Sequence, residues 1–181
     1  MVTRRSASQL VIVDVQDKLC GAMEPEALQA VVKNCSILLQ AARLLEIPVI
    51  YTEQVPAKLG ATLPQLLSWL ASAARVEKSC FSCCEESAFC AQLMESRPQV
   101  VLAGMEAHVC IVQTALQLQQ LGRQVFVVED AVISRNPANK ANGLDRLRQA
   151  GIVVSNTESV IFEWLEVAEG EIFRQLSRLV R

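Results

Sequence analysis

Apolar residues recur along this chain in two rhythms. Short, nearly continuous apolar runs, "QLVIVDV" (9–15), "IPVIYT" (47–52), "QVVLAG" (99–104), "QVFVVED" (124–130) and "IVVSN" (152–156), read as strands covered on both faces; "ARVEKSCF" (74–81) is a weaker sixth. Between them the spacing changes to a helical period. Residues 25–46 carry apolar side chains at 28, 31, 32, 35, 38, 39, 42 and 45, and Pro25 suits the first turn of such a helix. Further helices are expected: a short one over 64–73, and others over 85–96 ahead of Pro98, over 108–121 closed by Gly122, and over 137–150 between Pro137 and Gly151. Two terminal helices follow over 157–168 and 171–180, and "EQVPAKLGATLP" (53–64) is a loop.

Strands alternating with helices predict a parallel sheet with helices on both faces. The expectation is one α/β domain over residues 1–181: a three-layer α/β/α sandwich with a doubly wound, mainly parallel six-stranded sheet of order 3-2-1-4-5-6. In such sheets a site forms beyond the carboxyl ends of the strands, where strand order reverses, which here is between strands one and four.

Composition narrows the partners. Of 181 residues 51% are hydrophobic and 20% charged, a globular balance, and the net charge is −2 with no basic block. Neither nucleic acid nor a membrane surface is the expected partner; a small-molecule substrate is. No apolar run reaches the ~18 residues of a membrane span. Asp14 interrupts the N-terminal apolar run after four residues, so it reads as a strand and not a signal peptide, and a cytoplasmic location is expected. The seven cysteines, an odd number, then read as free thiols. Neither G-x-G-x-x-G nor G-x₄-G-K-[ST] nor G-x-S-x-G occurs, so no nucleotide cofactor and no serine elbow is expected.

The reactive residues at strand ends are Asp14, Glu53-Gln54, Lys78, Cys110 and Glu129-Asp130. Alone, each is bland: a carboxylate after a strand often caps a turn, a lone Cys is most often a small core residue, and a lone Lys lies on the surface. Together, three of them make a site. Cys110 opens a predicted helix, where unsatisfied amides lower a thiol pKa. Asp14 faces it across the reversal point and can take its proton. Lys78 can stabilise the thiolate, although strand order alone puts its strand two places from strand one.

The chain's single histidine, His108, lies two residues before Cys110. On a helix, i and i+2 point to nearly opposite sides, so it reads as a rim or capping residue. "CFSCCEESAFC" (80–90) holds four cysteines but only one C-x₂-C pair, Cys80–Cys83, and no histidine. Ordinary thiols fit it better than zinc; a redox role is the alternative.

"VDVQ" with Asp14, "EKSCF" with Lys78 and Phe81, and "GMEAHVC" with Cys110 resemble the isochorismatase-like cysteine hydrolase superfamily, over nearly the whole chain. "YTEQVPAKLGAT", "HVCIVQTALQL" and "VVEDAVISR" are similar to its isochorismatase-domain-containing subgroup. The resemblance implies an Asp-Lys-Cys triad: Asp14 as base, Lys78 holding the thiolate, Cys110 as nucleophile. It also implies a non-proline cis peptide at Met105–Glu106, aiming the backbone amides of Glu106 and Cys110 as an oxyanion hole. Gln16, Gln54, Phe81 and His108 are the expected pocket residues. Nicotinamidases of the family carry an Asp-x-His and a further His that bind a metal; this chain has "TEQ" at that place, so a metal-free site is expected. The implied activity is cleavage of a small amide or ureido-type C–N bond by a homo-oligomeric enzyme. The alternatives are a catalytically weak binding or scaffold member, or a vinyl ether hydrolase of the isochorismate type, although members of that kind typically lack the cysteine.

Overall fold

The computed structural model describes residues 1–180; the last residue of the expected domain, Arg181, lies outside them. In chain order the elements are β1 (Ser8–Val13), α1 (Asp17–Cys20), α2 (Pro25–Leu44), β2 (Val49–Gln54), α3 (Pro56–Leu59), α4 (Pro64–Leu67) and β3 (Ala74–Lys78). There follow a 3₁₀ turn (Cys83–Glu85), α5 (Ser87–Cys90), β4 (Gln99–Met105), a π-helical turn (Ala107–Ile111), α6 (Val112–Gln120) and β5 (Gln124–Ile133). The chain closes with α7 (Pro137–Gln149), β6 (Val153–Ser155), α8 (Thr157–Leu165) and α9 (Gly170–Leu179).

The six strands pair in parallel in the order β3-β2-β1-β4-β5-β6, as the alternation predicts. Successive side chains of a strand point to opposite faces, and both faces are apolar here. Leu10, Ile12, Val101, Ala103, Phe126 and Val128 pack with residues of α2 and α8, among them Leu38, Ile161 and Trp164. Val11, Val100, Leu102, Val125 and Val127 pack with Ile111, Ala115, Leu118 and Leu147 of the π turn, α6 and α7.

Two expected helices shrink. The helix expected at 64–73 is one α turn, continued by tighter bonds from Trp69, Leu70 and Ala73 to the carbonyls three residues back. The helix expected at 85–96 becomes a 3₁₀ turn and one α turn, with Phe89 as its fully buried anchor. A helix in water needs a packed apolar face more than propensity, and one or two anchors support only short pieces.

The carboxyl edge of the sheet is irregular. β1 stops at Val13 because Asp14 takes a left-handed conformation, φ 51°. β5 runs on to Ile133 because its register against β4 shifts between Leu102 and Gly104, so Val132 and Ile133 lie beside Gly104 and Met105. β1 and β4 lie close together at Gly104, whose φ is +115°; a Cβ there would lie 2.1 Å from the Val13 carbonyl oxygen. That crossing is the point where strand order reverses.

Candidate active site

The register accounts for which residues meet at this edge. Val13 pairs with Thr52, and Gln54 with Lys78. Val13 and Val76 belong to the core layer beneath α6, so Lys78, two residues beyond Val76, points to that same side. β3 is two strands from β1, and the long lysine arm closes the gap. Its Nζ lies 2.6 Å from Asp14 Oδ2 and 3.8 Å from Cys110 Sγ. Asp14, Lys78 and Cys110 therefore form one cluster, with the Asp14 and Lys78 side chains fully shielded from solvent and Cys110 6% exposed.

The cluster is densely bonded. Thr52 Oγ1 donates to Asp14 Oδ1 at 2.7 Å, so both carboxylate oxygens are held. Besides Asp14, the Lys78 ammonium donates to Gln54 Oε1 (2.6 Å) and to the carbonyls of Cys80 (3.2 Å) and Phe81 (3.3 Å). Burial alone pushes the Lys78 pKa down, but the facing Asp14 and the thiols of Cys110 and Cys83 outweigh it and hold it above the ordinary 10.5. Lys78 is thus a cation throughout the neutral range.

Cys110 behaves differently from the helix-terminus expectation. It sits inside the π turn, where the Ile111 amide bonds back to the Glu106 carbonyl at 3.2 Å, and not at the open start of an α-helix. Burial, and next the Asp14 charge, push its thiol up to about 12, with Lys78 opposing. At rest Cys110 is therefore a protonated thiol. The Met105–Glu106 peptide bond that enters this turn is cis.

The other expected site residues fall into place unevenly. Gln16 is fully buried and braces the backbone: its Nε2 donates to the carbonyls of Gln54 (3.1 Å) and Gly60 (2.7 Å), and its Oε1 accepts from the Gln54 amide (2.7 Å). Gln54 is also buried and clamps Lys78, so these two glutamines build the site's wall instead of offering free groups to a ligand. Phe81 lends its carbonyl to Lys78 while its ring is 58% exposed. His108 turns away from Cys110; its Nδ1 lies 2.9 Å from Ser134 Oγ and its Nε2 3.5 Å from Asn139 Nδ2. The cysteines of the 80–90 stretch are free thiols. The Cys83 sulfur is buried 4.0 Å from Thr52 Oγ1, Cys84 donates to the Thr114 carbonyl, and Cys90 to the Cys84 carbonyl.

Two carboxylates have roles that the sequence reading did not assign. Glu53 is buried and binds the Thr62 amide (2.7 Å) and the Arg75 guanidinium (2.6 Å), pinning the loop after β2. Glu106 accepts from the Arg135 amide (2.9 Å) and its Nε (3.1 Å), tying the end of β5 to the turn that carries Cys110. The single signal for each was a carboxylate at a strand's end. A groove of about 500 Å³ beside α2, bordered by Leu28, Val32 and Leu63, lies away from the cluster, whereas a cleft of about 260 Å³ at the carboxyl end of β3 is lined by Val55, Glu77, Lys78, Ser79 and Glu86 and so reaches the cluster at Lys78.

Fold and site together define a doubly wound parallel α/β protein with a buried Asp–Lys–Cys cluster at its switch point. The isochorismatase domain model matches residues 8–159, and the chain belongs to the isochorismatase family. It is 35% identical over 178 residues to isochorismatase domain-containing protein 2 of Bos taurus, covering 97% of this chain and 83% of the relative. Among solved structures, the MAR1 ribonuclease from Caenorhabditis elegans superposes with a TM-score of 0.91 at 30% identity, over 99% of this chain and 92% of that one. The ycaC gene product of Escherichia coli, described as an octameric hydrolase of unknown specificity, superposes at 0.90 with 23% identity, over 99% and 89%, and shares the fold. The family points to hydrolase activity.

Proposed function

We propose that the protein is a cysteine hydrolase that cleaves a small amide or ureido-type C–N bond through a thioester. The observation that carries this reading is the placement of one buried ammonium, Lys78 Nζ, 2.6 Å from a carboxylate and 3.8 Å from a thiol. Asp14 takes the Cys110 proton as the sulfur attacks the substrate carbonyl carbon. Charge moves from Asp14 to the thiol and then to the substrate oxygen, while Lys78 stays protonated beside all three. The backbone amides of Glu106 and Cys110 hold the oxyanion. The protonated Asp14 returns its proton to the departing amine. Asp14 then draws a proton from water, which attacks the thioester, releases the acid and restores the thiol.

The whole chain, 1–181, acts as one domain in this reading. Support for a homo-oligomer comes from apolar side chains exposed near the C-terminus, Phe162 at 41% and Val167 at 58%. A cytoplasmic location is supported by the free thiols: among the described residues no disulfide joins any of the cysteines.

The test is a panel of small primary amides, ureido acids and carbamoyl compounds given to wild type and Cys110→Ala. Turnover should fall by about 10³-fold or more in the variant, and trapping with acid should leave an acyl mass on Cys110. If no member of a broad panel shows Cys110-dependent turnover, the hydrolase reading fails and a binding role for the same fold takes its place.

A further inference from the structure

We propose that Gln54 is a positioning residue, which fixes the Lys78 ammonium against Cys110 with a neutral acceptor and so keeps the cluster uncharged while a thiolate exists. The purpose assigned to it rests on the cysteine-hydrolase reading; the geometry does not.

An ammonium has three protons to place. Asp14 Oδ2 takes one at 2.6 Å and Gln54 Oε1 takes another at the same distance. The third is shared among the longer contacts: Cys80 carbonyl at 3.2 Å, Phe81 carbonyl at 3.3 Å and Cys110 Sγ at 3.8 Å. Two short bonds therefore aim the ammonium, and the loosely shared proton faces the sulfur. Remove the Gln54 bond, and the ammonium is free to swing about its one remaining short contact.

Gln54 is itself unable to turn. Its oxygen has to face Lys78, because an ammonium only donates, and its Nε2 donates to the Ser79 carbonyl at 2.7 Å, which only accepts. Its own backbone is gripped at both ends by the Gln16 amide, which in turn reaches the Gly60 carbonyl. Two buried amides thus run from the Gly60 loop to the ammonium. Their orientation is dictated by which partners can donate.

Charge explains why the acceptor is an amide. At rest the cluster holds Asp14 as carboxylate, Lys78 as ammonium and a neutral thiol. Once the proton has moved, Asp14 is neutral and the sulfur is an anion. Both states sum to zero. A carboxylate at position 54 would make both states −1 and would repel the thiolate directly, in a place with little water to screen it.

The test needs no substrate. The rate of Cys110 alkylation by iodoacetamide is followed by peptide mass spectrometry between pH 7 and 10.5 in the full chain. Wild type is compared with Gln54→Met, which keeps the shape but loses the acceptor, and with Gln54→Glu, which keeps an acceptor and adds a charge. Fully buried Cys35 reports folding, since it stays unlabelled in an intact core. Both variants should shift the Cys110 profile upward by about one pH unit or more, a tenfold slower reaction at a fixed pH below it. A profile superimposable on wild type in folded Gln54→Met overturns the proposal. If that variant labels Cys35 and is unfolded, Gln54→Glu decides alone: an upward shift supports the proposal and an unmoved profile overturns it. Failure of the amide panel with a shifted profile rejects the hydrolase and keeps the positioning; the converse result keeps the hydrolase alone.

Discussion

Replacing Gly104 by Ala tests whether the close crossing of β1 and β4 shapes this protein. At Gly104 a Cβ would meet the Val13 carbonyl oxygen at 2.1 Å, its nitrogen at 2.7 Å and its carbonyl carbon at 2.8 Å, where real contacts essentially never fall below 3.0 Å. The clash is with backbone on the neighbouring central strand, so no side chain can rotate to relieve it. A non-glycine residue at φ +115° costs about 1–3 kcal/mol. Forcing extra volume into packed structure costs about 1–3 kcal/mol more. Together they remove about 2–6 kcal/mol from a fold worth ~5–15 kcal/mol. With a urea slope of ~2 kcal/mol/M, the unfolding midpoint should drop by about 1–3 M, read by far-ultraviolet circular dichroism. Gly122→Ala is the matched control: it has φ +78° but nothing within 4 Å, so it pays for conformation alone and should lose about 0.5–1 M. Equal losses in the two variants would refute the argument, because the strand contact would then contribute nothing.

Two further substitutions have opposite expected consequences. Burial pushes the Glu53 carboxyl up, but the Thr62 amide, Arg75 and the Thr62 hydroxyl outweigh it and hold it below the ordinary 4.5. Its stabilisation is complete above about pH 4.5 and is lost as the pH falls through the lowered value. The urea midpoint of wild type should therefore fall more steeply between pH 6 and 3 than that of Glu53→Gln; parallel slopes would count against the argument. His108→Ala should leave Cys110 alkylation unchanged and cost about 1 kcal/mol through the bond lost to the buried Ser134 hydroxyl, measured by urea unfolding. Slower alkylation of Cys110 in that variant would return His108 to the site.

The long elements were legible because burial on both faces leaves a strong trace. "QLVIVDV" and "QVVLAG" are strands that two helix layers cover, and α2 shows its buried stripe at Val31, Cys35, Leu38 and Ala42. The short elements were not. The turn at Pro56–Leu59 lies where the chain bends to bring Gly60 to Gln16, and of the helix expected over 85–96 only the pieces anchored at Cys83 and Phe89 form. A window of sequence holds no record of that. The early end of β1 was hidden for a related reason. The expected strand ran through Asp14 to Val15, and the left-handed backbone of Asp14 that ends it is visible only in three dimensions.

In the site, the sequence carried the reactive atoms and placed Gln16 and Gln54 in the pocket, but not as holders. Asp14, Lys78 and Cys110 stand at strand ends, which any α/β sheet makes a common edge. Thr52, Gln54 and Gln16 act through register and reach, which no spacing rule contains. For Cys110 both the placement, inside the π turn, and the magnitude were misjudged. A helix terminus favours an anion by about 0.3–1 kcal/mol, and up to ~2 kcal/mol in good geometry. The burial of Cys110, reinforced by Asp14, raises the thiol from 9.0 to about 12, which corresponds to ~4 kcal/mol against the anion. Desolvation wins, so the thiol does not ionise by itself. In the proposed reaction, proton transfer to Asp14 then accompanies attack, and the ammonium is in position before the charge appears. That is why the holders of Lys78 matter as much as the lysine: its two short bonds, to Asp14 and Gln54, set where the cation stands when the sulfur becomes an anion.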